Sequence, residues 1–396
     1  MCQDKEIIAK RIKAIPPSPT LTITAKAKAL RAAGEDVISL AAGEPDFDTP
    51  DHIKKAAIDA IHAGFTKYTE VGGIPELKEA VAQYIKMEYG LSYTLDEIMI
   101  SCGGKQALYN LFQVILESGD EVIIPAPYWV SYPPIVILAG GRPIIVKTRE
   151  EDGFRLRAED IKPYIGPKTK AIIINSPSNP TGSIYTKEDL LKIAELIIRY
   201  NIHIISDDVY HKIILDDIEW CCIASLGEEV RKRTFIINSV SKTYAMTGWR
   251  IGYLIGNKNV IKAATRVQSQ STSNPNSIAQ KAALAALTGP QDFVRGLVEV
   301  FKKRRDLLME NLAKIPGVSC FRPQGTFYAF PRFSSYFNKK IKDSLKFTEY
   351  LLEEAKVAVV PGIAFGSDGF VRLSLANSLD TIEEGLFRIK KALDKL

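Results

Sequence analysis

The sequence predicts an α/β protein, with a large domain on a doubly wound, mostly parallel, seven-stranded sheet and a smaller α+β domain after it. Three observations lead there. Short β-branched runs recur between residues 97 and 255, several of them apolar throughout, as strands covered on both faces are. Amphipathic stretches separate these runs, and strand–helix alternation of that kind builds a parallel sheet. Past Pro290 the texture changes to long charged helices with two strand-like runs between them.

Strands are expected at 97–101 (EIMIS), 121–125 (EVIIP), 143–147 (PIIVK), 171–175 (AIIIN), 203–207 (HIISD), 234–238 (TFIIN) and 252–255 (GYLI). Leu77, Val81, Tyr84 and Ile85 repeat at helical spacing, as do Leu190, Ile193, Leu196 and Ile197. In the last hundred residues the pattern gives a helix over 292–313, a helix near 344–355, strands at 357–360 and 370–374, and a closing helix from Thr381. Pro16, Pro17 and Pro19 make the N-terminal arm extended rather than core-forming. The expected division is an arm over 1–47 that joins the small domain, a large domain over 48–290 and a small domain over 291–396.

Composition removes several function classes. The chain has 396 residues, 46% of them apolar, and no low-complexity tract, which excludes disorder and leaves room for a sizeable core. A net charge of +6 over that length suits anionic small molecules at a local site and argues against nucleic acid. Five cysteines without CxxC spacing read as thiols of a reducing compartment, and four histidines without paired-ligand spacing argue against a metal. The N-terminus has no signal-peptide core, and apolar runs such as that near 135–139 fall far short of the ~20 residues of a membrane span. A soluble, cytoplasmic protein is expected.

Ligands of α/β sheets sit beyond the carboxyl ends of the strands, so the turns after the strands carry the most information. Cys102-Gly103-Gly104-Lys105 comes after the first, a turn whose backbone N–H groups could approach a phosphate at a helix start; a plain tight turn explains it equally well. Ser176-Pro177-Ser178-Asn179-Pro180-Thr181-Gly182 comes after the fourth and could hold the Asn179 amide rigidly. Asp207, Asp208 and Tyr210 end the fifth; a carboxylate there needs a cation or hydrogen bonds, unless it caps a helix. After the sixth come Ser239, Ser241, Lys242 and Arg250, with alternation placing the two serines on one face. Two hydroxyls and a guanidinium suit a phosphate dianion. A desolvated lysine among cations suits a Schiff-base nucleophile.

The segment SVSKTYAMTGWRIG (239–252) resembles the pyridoxal-phosphate attachment motif of class I, fold type I aminotransferases. It has company in the right order: AGEPDFDTP (42–50), KYTEVGGIPELKEA (67–80), PYWVSY (127–132), SPSNPTG (176–182), DDVY (207–210) and VRLSLANS (371–378). Together these span essentially the whole chain. With GGKQAL (103–108) and SQST (269–272), the combination is closest to the bacterial aspartate aminotransferase branch.

The resemblance implies a cofactor, pyridoxal 5′-phosphate, and a role for each matching residue. Lys242 would bind it as a Schiff base and then move the proton as base and acid. Asp207 would pair with the pyridine nitrogen and keep it protonated, while Tyr210 and Asn179 would hydrogen-bond the phenolic oxygen. Trp129 would stack on the ring. Ser239, Ser241, Arg250 and the backbone N–H groups of Gly104 and Lys105 would hold the phosphate. Tyr68 would reach the phosphate of a neighbouring subunit, which implies a homodimer with shared sites. Arg372 would clamp the substrate α-carboxylate beside the Gly43 backbone.

The implied reaction is ping-pong transfer of the amino group from L-aspartate to 2-oxoglutarate. How a distal carboxylate is read is less defined, because 267–276 contains no Arg, the helix after GGKQAL carries Gln113, and the arm carries Pro16-Pro17. Ser18, Thr20 and Gln113 could hydrogen-bond it with less discrimination. A sister transaminase acting on aromatic amino acids, prephenate or alanine therefore stays open. A lyase on the same scaffold, or a cofactor-binding regulator, is the more remote alternative.

Overall fold

The computed structural model describes residues 7–15, 17 and 19–396, with side chains left aside at 19–21. The expectations placed on Pro16 and Ser18, and on the Thr20 side chain, therefore lie outside what is described. Twelve strands are described: β1 (Ile38–Ser39), β2 (Ile98–Ser101), β3 (Glu121–Ala126), β4 (Arg142–Lys147), β5 (Thr169–Asn175), β6 (His203–Asp207), β7 (Thr234–Ser239), β8 (Gly252–Ile255), β9 (Tyr328–Ala329), β10 (Val357–Ala358), β11 (Val360–Pro361) and β12 (Val371–Ser374).

Seven of them form one sheet in the order β2-β8-β7-β6-β5-β3-β4, in which β8 alone runs antiparallel to its neighbours. The apolar runs divide their side chains between two faces. Ile173, Ile205 and Ile237 pack with Leu108, Leu111 and Phe112 of the helix Gly104–Ile115. Ile172, Ile174 and Ile204 pack on the other side against Leu190, Ile193 and Ile197 of the helix Lys187–Tyr200. Each buried isoleucine removes enough apolar surface from water to contribute about 1.5–3 kcal/mol, so strands without polar alternation are what a sheet covered on both faces requires.

Helix ends obey local chemistry. Thr186 accepts a hydrogen bond from the Asp189 amide while the Asp189 side chain returns to the Thr186 amide, a reciprocal cap at the start of Lys187–Tyr200. Asn201 ends that helix in the left-handed conformation.

Beyond the long helix Asp292–Leu312, β11, β12 and β9 form an antiparallel sheet and β10 pairs in parallel with β1. The expected single strand over 357–360 is thus two short ones, with Val359 between them, because its two ends pair with different partners. Among its described residues the N-terminal arm is not extended as its prolines led one to expect. Lys10–Lys13 and Pro19–Ala32 are helical, with Pro19 at the first helical position where no N–H is required, and Ile23, Ala27 and Val37 pack on Leu352 and Ala358. Among the described residues no helix is long and apolar enough to cross a membrane.

Candidate active site

One cleft of about 280 Å³ opens at the carboxyl ends of the central strands. Gly43, Gly104, Lys105, Trp129, Asn179, Asp207, Tyr210, Ser239, Ser241, Lys242, Arg250 and Arg372 all line it, so twelve of the thirteen residues assigned to the cofactor or the α-carboxylate meet there. The thirteenth, Tyr68, is 89% exposed and does not line the cleft of its own chain.

Strand register explains the gathering. Asn175 ends β5 directly beside Asp207 at the end of β6, and Asn175 Nδ2 donates to the Asp207 carbonyl at 2.8 Å. Because β8 is antiparallel, its beginning lies at the carboxyl ends of β2 and β7: Gly252 pairs with Ser101 on one side and Ser239 on the other. Arg250, two residues earlier, is thereby delivered between the Gly103 turn and Ser239. Gly103 has φ +86°, and a Cβ there would stand 2.9 Å from the Arg250 Cζ. A Cβ on Gly252 would lie 3.0 Å from Gly103 Cα. Both glycines are needed to bring backbone N–H groups, a guanidinium and two hydroxyls to one point.

Strand alternation is not what aligns the serines. Ser239 ends β7, whereas Ser241 and Lys242 belong to the single helical turn Val240–Thr243. The Ser239 hydroxyl accepts from the Ser241 amide at 3.3 Å, an N-cap that folds the turn back and puts both hydroxyls in the cleft.

Lys242 Nζ donates to the Gly43 carbonyl at 2.5 Å. Burial lowers its pKa to about 8; Glu44 opposes the shift, and Arg372, Arg250 and Lys105 add to it. Asp207 is 6% exposed and accepts from the Tyr132 hydroxyl on Oδ2 at 2.6 Å. Burial raises its pKa to about 6, against the opposing hydrogen bonds from Tyr132 and the Val209 amide. A buried carboxyl held that high lacks a cation, and a pyridinium nitrogen is a cation of the right kind.

Arg372 is 6% exposed and held from two sides, by the Asn179 carboxamide oxygen at 3.1 Å and the Ala41 carbonyl at 3.1 Å. Its guanidinium lies 4.2 Å from the Tyr328 ring centroid, and its buried Nε has no partner among the described residues. A carboxylate arriving there meets a fixed, partly unsatisfied fork. Tyr210 and Tyr328 share a hydroxyl contact of 3.2 Å. Trp129 packs edge-on to Tyr132, with Lys105 Nζ 5.0 Å above its ring.

Sequence reasoning missed Asn175, Tyr132, Thr247 and Tyr328, all of which line the cleft. Tyr132 stood inside PYWVSY and Asn175 at a strand end, so both carried a signal. Tyr328 carried none, because it arrives on β9, from a segment far along the chain from the strands that end at the cleft. Gln113 was expected near a distal carboxylate. It lies instead in a separate cleft with Tyr109, Arg266 and Val267. Nine residues of helix, at 1.5 Å each, carry it some 13 Å beyond Gly104.

Residues 35–389 match the family described as aminotransferase class I and II. The chain belongs to this family. It is 50% identical to an aspartate aminotransferase of Bacillus subtilis over 98% of this chain and 99% of that one. It is also 50% identical to a probable aspartate/prephenate aminotransferase of Rickettsia conorii, over 98% of each. Solved structures agree: an aspartate aminotransferase of Rhizobium meliloti superposes with a TM-score of 0.95 at 46% identity, covering 99% of this chain and 100% of the other. One of Thermus thermophilus with maleate gives 0.93 at 44% identity over 98% and 100%. The fold is accordingly fold type I, and the aminotransferase works with pyridoxal 5′-phosphate. Its cleft fits that cofactor by charge: an anion cradle at Arg250, an uncompensated carboxyl at Asp207, and an amine of lowered pKa at Lys242.

Proposed function

We propose that the chain transfers the amino group of L-aspartate to 2-oxoglutarate, giving oxaloacetate and L-glutamate, and that its cleft residues take the roles the resemblance implies. The observation that carries this reading is the convergence on one cleft of Lys242, Asp207 and the fork of Arg372. Ser239, Ser241, Arg250 and the backbone at Gly104 and Lys105 hold the phosphate, Asp207 holds the pyridine nitrogen, Tyr210 and Asn179 face the phenolic oxygen, and Trp129 packs on the ring.

Pyridoxal phosphate, when bound, supplies the electron sink that makes the substrate Cα–H acidic. The residues do the rest. With a pKa of about 8, Lys242 holds an appreciable neutral fraction near neutral pH, against roughly one part in a thousand at the ordinary lysine value. It can therefore attack a carbonyl carbon as the free amine and afterwards carry a proton to and from the substrate Cα. Arg372 orients the α-carboxylate bidentately, with Asn179 and Ala41 fixing the plane of its fork. Asp207, ionised beside a cation, holds the ring nitrogen charged.

Several coarser features join this reading. A homodimer with Tyr68 reaching the partner's phosphate is supported by the exposure of Tyr68 together with Ile58, Ile61 and Met87. The joining of the arm over 1–47 to the small domain is supported by the pairing of β1 with β10. A cytoplasmic location accords with thiols that are free at Cys102, Cys221, Cys222 and Cys320. Prephenate as a second acceptor is favoured by the names of relatives in Rickettsia and Aquifex aeolicus. Purified protein supplied with pyridoxal phosphate should turn over L-aspartate to oxaloacetate continuously only when a 2-oxo acid is added, and otherwise stop after about one equivalent per site. Absence of turnover with aspartate alongside rapid turnover of an aromatic donor would overturn the assignment.

A further inference from the structure

Behind the cleft, on the far side of Asp207, lies a layer of buried polar side chains that the reaction does not use. Asp208 is 1% exposed, His211 4% and Asn238 0%. His211 Nδ1 stands 2.8 Å from the Asp208 carbonyl oxygen. A carbonyl only accepts, so Nδ1 carries the hydrogen, and Nε2 accepts from the Tyr84 hydroxyl at 2.8 Å. The His211 amide reaches the same carbonyl at 3.0 Å. Asn238 accepts from the Ser239 amide on Oδ1 at 2.7 Å, donates to the Tyr89 hydroxyl at 2.9 Å, and packs 3.2 Å from His211 Nδ1. Ser206 and the Cys222 thiol donate to the Asp208 carboxylate at 2.7 and 3.4 Å.

Each member of this layer neighbours a cleft residue along the chain. Asp208 comes directly after Asp207, His211 directly after Tyr210, and Asn238 directly before Ser239. The layer is therefore the underside of the site, and His211 touches both of its other members, Asp208 and Asn238. Burial pushes the imidazole down to about 3, so the link is a directional hydrogen bond between neutral groups.

We propose that His211 is a positioning residue: by donating from Nδ1 to the Asp208 main chain while wedged against Asn238, it fixes Asp207 and Tyr210 relative to Ser239. The pyridine end of the cofactor is thereby aligned with its phosphate end. This rests on the assignment of Asp207, Tyr210 and Ser239 to the cofactor. A buried N–H···O=C bond is directional, and without it the Asp208 carbonyl keeps only the His211 main-chain amide and loses its tie to the imidazole, in a layer closed to water.

Two substitutions separate the imidazole nitrogens. In His211→Asn the amide nitrogen can occupy the place of Nδ1; in His211→Gln it reaches only that of Nε2. With the pyridoxal-phosphate-loaded enzyme, His211→Gln should lower kcat at least tenfold and weaken the Kd for pyridoxal phosphate severalfold, with KM for aspartate within twofold. His211→Asn should restore kcat to within threefold of the parent. Tyr84→Phe, which leaves the Nδ1 bond intact, should also stay within threefold. Parent-like kcat and Kd in His211→Gln, equal losses in the Asn and Gln variants, or a tenfold loss in Tyr84→Phe would each overturn the proposal. The parent enzyme is the control for the underlying reading: failure to bind the cofactor there would bring down both, whereas a parent-like Gln variant brings down this proposal alone.

Discussion

Tyr132 donates its hydroxyl to Asp207 Oδ2 at 2.6 Å, inside a site where both side chains are buried. The bond favours the charged carboxylate, while burial favours the neutral acid and wins by enough to hold Asp207 near 6. A hydrogen bond to a charged group contributes about 1.5–3 kcal/mol, the equivalent of about one to two pKa units. Tyr132→Phe should therefore raise the Asp207 pKa further. Its weakening of pyridoxal-phosphate binding should be larger at pH 6 than at pH 8. Equilibrium binding at the two pH values checks this, and a loss independent of pH would contradict it.

Asp207→Asn keeps the size of the side chain and removes its charge. The variant should retain most of the cofactor, because the phosphate cradle is untouched, and lose at least about a hundredfold in kcat, the scale of a missing charge in a closed site. Cofactor content and steady-state rates measured on one preparation decide it. A variant with parent-like turnover would remove Asp207 from the chemistry.

Arg372→Lys keeps the charge and loses the fork. With a charge-assisted pair of about 1.5–3 kcal/mol at stake, KM should rise roughly 10- to 100-fold for every amino acid offered. Were the rise confined to dicarboxylic donors, Arg372 would be reading the distal carboxylate instead of the α-carboxylate.

His211 also sets a pH dependence of stability. Its folded pKa, about 3, lies below the ordinary histidine value of 6.5, so below pH 6.5 the unfolded chain binds a proton that the folded one refuses. The imidazole thus contributes stability above pH 6.5 that is lost as pH falls toward 3. Asp207 and Asp208, raised to about 6 and 7, act in the opposite sense between about pH 4 and 7. They are present in parent and variant alike, so the difference isolates His211. Between pH 6.5 and 5, apo His211→Asn should gain stability relative to the apo parent in urea titrations; a constant difference would refute the buried neutral imidazole.

Tyr68→Phe should weaken cofactor retention severalfold without altering the fold of the isolated chain, since the ring is exposed there. A mixed population carrying Tyr68→Phe on one subunit and Lys242→Ala on the other separates the cases. A cross-subunit hydroxyl leaves the site containing Lys242 with its native Tyr68, whereas an effect within one chain does not.

How far the sequence carried depends on where each residue sits. The seven central strands were legible because burial on both faces leaves unbroken β-branched runs, as at Ile172–Ile174 and Ile204–Ile205. The antiparallel sense of β8 left no trace in its own four residues, yet it decides how Arg250 reaches the phosphate cradle. Ser239 and Ser241 were correctly grouped for a reason the fold replaces, since a helical cap and not strand alternation aligns them. Gln113 was misplaced because helical rise carries it out of the cleft, and a motif's neighbourhood along the chain is not its neighbourhood in space. Tyr328 and the layer around His211 depend on contacts between distant segments, which local pattern does not encode.

The central claim is that Lys242, Asp207 and Arg372 together make this cleft a transaminase site for aspartate. The most direct test is the visible absorption spectrum of the protein loaded with pyridoxal phosphate, before and after L-aspartate is added without a 2-oxo acid. The account predicts a visible band from the lysine-bound cofactor that declines on addition of aspartate while a shorter-wavelength band of the aminated cofactor grows, and Lys242→Ala should lack the starting band. A band that forms and is left unchanged by aspartate, or no band at all after pyridoxal phosphate is supplied, would contradict it.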